Sequence, residues 1–516
     1  MKTIFRHHHR LVIPLLIGAM LAFAIFWAWF SIGRAANYNA GWYDLGIMAQ
    51  TVWRAGHGFG LTFTNPEAGL NGVHGLETVR TAIHTDYLLF LLAPLSWFGQ
   101  TWQNLLVFQA VMLAAGAWFL FRVARHLLGG PWRGWLVAMV YLAYSPLHFA
   151  LLFEFHAVTI AIPFFFAAAD AILQGRKRLM WLWIGLALIT KEQVGVSMAL
   201  FAGFLLLWTG RRRRAGLVAA ICVLWTILQV AVVIPLSRPG QSASFVAGKF
   251  YQSEEGSLAV VSRLFDPVDA YHRLNTATHR SNIVQLLAPL GGPIALLSPL
   301  TYLLAPEVLL YWLSDSPNQQ TLFLHYQALF IPFLFVGLIL AWRSINRWVA
   351  ARYPRFTQPA TMAIMLAIVL GSGWGIVRFS AWPWSPMTRW PVVAWKERQH
   401  ADVTAAASLI PPRASVAVTQ NLGPQVSGRP RVTLLPTGAL TEQFLFILQR
   451  SYPADLSKTN DKRLAEKVML DQLLEFVAAQ PAAYVMRYHQ GRVWLIERVG
   501  APTEPEPIWP DHLLGR

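Results

Sequence analysis

Asp44, in Trp42-Tyr43-Asp44-Leu45-Gly46, stands just beyond the first long apolar run, and further polar residues recur beside later ones: Gln50, His84 and Asp86, Glu154 and His156, Lys191 and Glu192, and His325-Tyr326. An ionisable side chain near hydrocarbon is costly, so it has to be paired, hydrated or engaged by a ligand. Such a gathering suggests an enzyme working at a membrane face. Each group also has a plainer reading. Asp44 could be an interfacial or helix-capping acid, Lys191-Glu192 an ion pair at a tight turn, Glu154 and His156 a structural pair, and His325-Tyr326 an interfacial anchor.

The elements that hold these residues follow from composition. Of 516 residues, 55% are hydrophobic and only 13% charged, with 23 Trp, a composition that soluble domains do not share. The chain reads as a polytopic membrane protein. Its net charge of +17 would suggest nucleic acid in a soluble protein, but the Arg clusters fall in short loops between apolar runs. They report topology and contact with anionic lipid, and no nucleic-acid partner is expected. The single cysteine, Cys222, lies in an apolar run and reads as a small core residue. Leu11 to Ile32 is too long for a signal sequence and reads as a retained first span, preceded by the basic flank around His7-His8-His9.

Basic clusters at Arg122/Arg125/Arg133, Arg176/Lys177/Arg178, Arg211 to Arg214 and Arg343/Arg347/Arg352/Arg355 are placed with the N-terminus in the cytoplasm by the positive-inside rule. Spans are then expected over Gln103 to Phe121, Trp135 to Phe153, Val158 to Leu173, Leu217 to Leu236, Gln327 to Trp342 and Ala360 to Val377. Tyr87 to Phe98 is too short to cross and should lie along the outer interface. Leu179 to Trp208 carries basic clusters at both ends, so it should form two short helices with Lys191-Glu192 at the outer turn. Ile283 to Leu313, broken by Pro and Gly, should start and finish outside. About eleven transmembrane helices result.

The tail differs in kind. Segments 415–419, 431–435, 483–486 and 493–496 read as short strands, and Asp461 to Ala479 has helical spacing. The expected architecture is an all-α polytopic membrane domain over residues 1–378, with a long first outer loop (33–102), followed by a small C-terminal α/β extracytoplasmic domain over 379–516. The end, Pro502 to Pro510, should be frayed. There is no Walker A loop and no HExxH pair, and Gly56-His57-Gly58-Phe59-Gly60 reads as a flexible loop.

A long first outer loop with an acid near its start, short interfacial helices, Lys191 at a turn between two short spans and an outer C-terminal domain together resemble the GT-C superfamily of integral-membrane glycosyltransferases. More closely, Tyr43-Asp44-Leu45-Gly46 with Gln50 and Trp53, then His84, Gln109, Glu154-Phe155-His156, Lys191-Glu192, Leu313-Ser314 and His325-Tyr326 resemble the DUF2079 membrane family. The resemblance implies that Asp44 is the catalytic carboxylate, taking or orienting the acceptor's proton. It implies that Lys191 stabilises the leaving phosphate of a polyprenyl-phosphate-linked sugar. Glu154 stands where some superfamily members place a second acidic motif. The multi-acid pattern of the metal-dependent oligosaccharyltransferases is not present, so no cofactor is assigned and a divalent metal ion is left open.

The expectation is a transferase of the prokaryotic cytoplasmic membrane that passes a sugar to a lipid, glycan or protein acceptor at the outer face. Asp44 is its base, Lys191 a phosphate contact, and Glu192, His84, Asp86, Glu154, His156, Gln50, His325 and Tyr326 line the substrate site. A transporter or flippase of a lipid-linked saccharide would line a pathway with the same charges, and no pair of matched halves is evident. A non-catalytic envelope assembly protein is the third reading. It would leave the membrane-edge acids without a common purpose.

Overall fold

Long apolar runs satisfy their backbone groups internally only as helices, and most of this chain obeys that constraint. The computed structural model describes residues 2–64, 77–238, 266–382, 385, 397–450 and 461–500. Residues 239–265, the side chains of His7-His8-His9 and the expected frayed end lie outside the described residues.

Five described helices are long and apolar enough to cross a membrane: Leu11–Ala36, Thr101–Leu128, Arg212–Leu236, Phe330–Arg352 and Pro354–Phe379. A sixth is reached if Pro131–Leu142 and Ser145–Leu152, bent by 44° at Pro146's turn, count as one span. The expected eleven crossings are not reached by this measure. Several expected spans are helices of 8 to 15 residues, and at about 1.5 Å per residue these fall short of a roughly 30 Å hydrocarbon core. Arg212–Leu236 has only 17% of its apolar window buried, so its Leu217, Leu224 and Ile227 face outward as lipid-facing side chains must.

The turn expected between two short helices is present: Lys177–Leu188 and Val194–Trp208 flank residues 189–193. Ile283 to Leu313 is broken, as its Pro and Gly residues dictate, into Ala277–Leu287, short 3-10 turns, Pro299–Tyr302 and Ala305–Trp312. Tyr87 to Phe98 forms only a four-residue helix and a 3-10 turn.

Contacts divide the chain into two compact units. The first holds residues 1–31, 84–88 and 106–392. The second joins residues 32–83 and 89–105 to 393–516, so most of the first loop folds with the tail. That division departs from the boundary after residue 378. In the second unit, strands β1 (Thr62–Thr64) and β2 (Glu77–Val79) pair as an antiparallel hairpin. Strands β3 (Val416–Val418), β4 (Val432–Leu434), β5 (Phe444–Leu448), β6 (Tyr484–Gln490) and β7 (Val493–Arg498) form one mixed sheet in the order β4-β3-β5-β7-β6. The β3 pairings are parallel, whereas β5–β7 and β6–β7 are antiparallel.

Strand alternation sends Val416, Val418, Phe444, Phe446 and Leu495 to one face and Ala417, Leu445, Ile447 and Ile496 to the other. The first face packs on Val403 and Ala406 of helix Glu397–Ser408 and on Trp42, Ile47 and Phe63 of the loop. The second packs on Met469, Leu470, Leu473 and Val477 of helix Asp461–Ala478. The loop is thus part of the sheet's core.

Candidate functional site

Asp44 lies on a one-turn π-helix, Trp42–Gly46, that leads directly into helix Ile47–Gly56. Such wide turns recur at functional positions because they re-aim side chains within a helix. This one is set by Trp42, fully buried in the sheet core. A Cβ on Gly46 would come within 2.7 Å of the Trp42 ring, and one on Gly423 within 2.7 Å of the Trp42 Cβ, so both positions need glycine. Asp44 is half-buried beside that anchor.

Gln50 is buried and its amide is engaged inside the second unit. Its Oε1 accepts from Thr64 N (2.8 Å) and Thr64 Oγ1 (3.0 Å), and its Nε2 donates to Arg429 O (3.3 Å). Thr64 Oγ1 accepts in turn from Val432 N at 3.0 Å. This makes Gln50 a clasp between loop and tail, reinforced by buried Arg54, which donates to Thr62 Oγ1 (2.9 Å), Pro430 O and Glu77.

The other sequence-designated residues belong to the first unit, and the turn at 189–193 organises them. Its carbonyls are pinned. Trp225 Nε1 donates to Leu188 O (3.1 Å), Leu88 N to Ile189 O (2.9 Å) and Thr226 Oγ1 to Glu192 O (2.8 Å). Gly195 permits this approach, since a Cβ there would meet Cys222 O and Thr226 Oγ1 at 2.3 Å. Cys222 is fully buried.

Glu192 receives His84 Nδ1 at 2.9 Å and Thr85 N at 3.1 Å, one partner on each oxygen. Burial alone would raise its carboxyl, but the charge and hydrogen bond of His84, with Lys191 nearby, hold it down at about 2. Lys191 is half-buried, and among the described residues its ammonium makes no ion pair or side-chain hydrogen bond. It is nonetheless close enough to Glu192, Glu307 and His325 to act on each electrostatically.

Gln109, fully buried on helix Thr101–Leu128, builds the Phe153-Glu154-Phe155-His156 turn. Its Nε2 donates to Leu151 O and Glu154 O, both at 2.9 Å, and its Oε1 accepts from His156 N and Thr159 Oγ1, both at 3.0 Å. Glu154 is thereby held in the left-handed region at φ 69°, an uncommon conformation for a residue with a Cβ. The turn sets the His156 ring flat on His325, centroids 3.7 Å apart and planes 14° off parallel, with Phe153 stacked against both. His325 is buried, its Nδ1 has no hydrogen-bond partner among the described residues, and burial and then the charges of His156, Lys191 and His84 keep it neutral well below the usual histidine range. Tyr326 follows, its ring against His325 and Tyr311. Asp86 is buried two residues after His84.

Sequence reasoning missed Glu307. It is buried on helix Ala305–Trp312, outside the candidate spans, and accepts from Ser197 Oγ (2.5 Å) and Gln193 Nε2 (3.1 Å). Gln193 also reaches Tyr311 Oη at 2.5 Å. An acid inside the apolar stretch Ile283 to Leu313 was the available signal. Chemically, the first unit offers an uncommitted ammonium beside the buried Glu307 carboxyl, the His84–Glu192 pair and stacked imidazoles, an arrangement suited to an anion. Among the described residues no three His, Cys, Asp or Glu side chains are disposed to hold a metal ion.

No curated protein matches the chain. Among solved structures, the crystal structure of ArnT from Cupriavidus metallidurans bound to undecaprenyl phosphate is similar in fold, with a TM-score of 0.50 at 12% identity over 96% of this chain and 99% of that one. That likeness is one of fold. The profile of the family described as "Predicted membrane protein (DUF2079)" matches residues 34–475, and the chain belongs to that family.

Proposed function

We propose that this protein is an integral-membrane glycosyltransferase that takes a sugar from a polyprenyl-phosphate donor and passes it to a lipid, glycan or protein acceptor at the outer face of a prokaryotic cytoplasmic membrane. The observation that carries the reading is the Lys191 ammonium, unpaired among the described residues, on a turn whose carbonyls are pinned by three donors. A fixed cation of this kind suits a phosphate ester. The similar fold of ArnT, a protein solved with undecaprenyl phosphate bound, supports a lipid of that class.

In the proposed reaction the acceptor oxygen bonds to the sugar's anomeric carbon as the carbon–phosphate oxygen bond breaks. The bond's electron pair leaves with the lipid phosphate, where Lys191 meets the growing charge. Asp44 takes the acceptor's proton, a role assigned from its place in the chain. Glu192, held ionised by His84, keeps that side of the turn anionic and occupied, so Lys191 remains the cation that a phosphate meets.

The test is transfer from a labelled polyprenyl-phosphate sugar by purified protein reconstituted with envelope lipid and glycan acceptors. Lys191→Met should lower kcat by roughly 10² to 10³, as expected for loss of one transition-state contact, with a smaller change in KM. Asp44→Asn should abolish product formation. Movement of labelled donor between leaflets without acceptor product, under Lys191 control, would replace the enzyme with a flippase.

A further inference from the structure

Glu307 has no part in the scheme above, yet it is a buried carboxyl beside the cation that the scheme uses. Its partners are unequal in a useful way. Gln193 Nε2, at 3.1 Å from Oε2, only donates, whereas the Ser197 hydroxyl, at 2.5 Å from Oε1, donates or accepts. The pocket therefore accepts either protonation state: as a carboxylate, Glu307 receives both bonds; as a carboxylic acid, it carries the proton on Oε1 and donates to Ser197. Gln193 caps and Ser197 opens the helix that follows the Lys191 turn, so the carboxyl's two partners sit on the segment that carries the ammonium, while Glu307 itself comes from helix Ala305–Trp312.

The charged and titratable groups facing this position are Lys191 and Glu192 on the turn, Tyr311 on its own helix and Tyr326 beyond it. Glu192 is matched by His84. With Glu192 matched, Glu307 is the counter-charge left for Lys191 in the empty site. An anionic headgroup on Lys191 displaces that balance and sets two negative groups on one cation.

Resting on the proposed donor reading, we propose that Glu307 takes up a solvent proton onto Oε1 when a lipid phosphate binds Lys191, so that binding is coupled to protonation. Burial raises the Glu307 carboxyl to about 7, against the smaller opposing effects of Ser197, Gln193 and Lys191, so at pH 8 the empty site is mostly ionised. The sign follows: a nearby anion raises that value further, protons are bound on complex formation, and affinity falls as pH rises above about 7.

The experiment is titration of purified protein in nanodiscs with undecaprenyl phosphate, by calorimetry at pH 8 in two buffers of different ionisation heat, and of affinity from pH 7 to 9. The headgroup's own second ionisation, near pH 6, is complete enough there to leave the signal to the protein. Wild type should take up nearly one proton and lose about tenfold in affinity from pH 8 to pH 9. Glu307→Gln, which mimics the protonated state, should bind at pH 9 at least tenfold tighter than wild type, with no proton uptake and no pH slope. The buffer dependence of wild type is read without any variant, so a misfolded Gln protein does not void the test. Binding without proton uptake, or uptake that persists in Glu307→Gln and so belongs to another group, overturns the coupling and leaves the transferase reading standing. Failure of wild type to bind the lipid phosphate at any pH overturns both.

Discussion

Replacing Gln109 by Leu isolates the amide that builds the Glu154 turn. The side chain is fully buried and makes four hydrogen bonds at 2.9 to 3.0 Å. Thr159 Oγ1 keeps a second acceptor, His156 O at 2.7 Å, so the substitution takes a hydrogen bond from three groups: Leu151 O, Glu154 O and His156 N. Each buried group that loses this partner costs about 1–3 kcal/mol, and Leu keeps most of the volume, so cavity formation adds little. Release of Glu154 from its left-handed conformation returns roughly 1 kcal/mol. The net expectation is about 2–8 kcal/mol of destabilisation, read by equilibrium unfolding in mixed micelles. Val107→Leu, outward on the same helix, is the control and should change little. The His156–His325 stack should loosen with the turn. A cost under 1 kcal/mol, equal to the control, would refute the idea that this amide holds the turn.

Other outcomes follow from the same geometry. Gly46→Ala forces a Cβ to 2.7 Å from the Trp42 ring and should cost about 1–3 kcal/mol by overpacking, whereas Gly18→Ala, with open space around it, should leave the unfolding temperature unchanged. The Glu192 carboxyl is held at about 2 against an ordinary 4.5, so its contribution, about 3 kcal/mol at most, is fully present above pH 4.5 and is lost as pH falls toward 2. Wild type should therefore show a steeper acid loss of stability than Glu192→Gln in unfolding titrations. Cysteines at Glu192 and at Asp461, in a Cys222→Ala background, should react with an impermeant thiol reagent in intact cells; labelling only after permeabilisation would reverse the proposed orientation.

The Lys191-Glu192 turn was legible because basic clusters on both sides of a 30-residue apolar stretch leave room for nothing but a hairpin. The Glu154 and His156 turn was legible for a similar reason, as a polar break between two apolar runs. Strand β5 was not. Its Phe444-Leu445-Phe446-Ile447-Leu448 is apolar throughout because both faces of the central strand are covered, and a short continuous run has neither period 2 nor period 3.6. Gln50 illustrates another limit. A sequence marks a polar side chain near a membrane but not whether its partners are already supplied, and here Thr64 and Arg429 supply them from 14 and 379 residues away. The sharing of one core by Trp42 and Val416 is likewise a long-range contact that no local pattern records.

Short helices explain where the candidate site lies. A helix of 8 to 15 residues ends before it has crossed, and its terminal carbonyls are then left without water. In this protein side chains from neighbouring elements supply the missing donors, Gln109 at Leu151 and Trp225 at Leu188, and Thr226 holds the turn carbonyl of Glu192. Those caps fix the turns in place, and the turns carry Glu154, His156, Lys191 and Glu192. The same constraint that forbids bare helix ends in an apolar setting thus makes the segments between them stiff. A stiff turn fixes where the Lys191 stem leaves the backbone, while the flexible stem itself stays able to turn its ammonium toward a ligand. A long uninterrupted span offers no such place, which is why the polar residues of the first unit gather on its shortest elements.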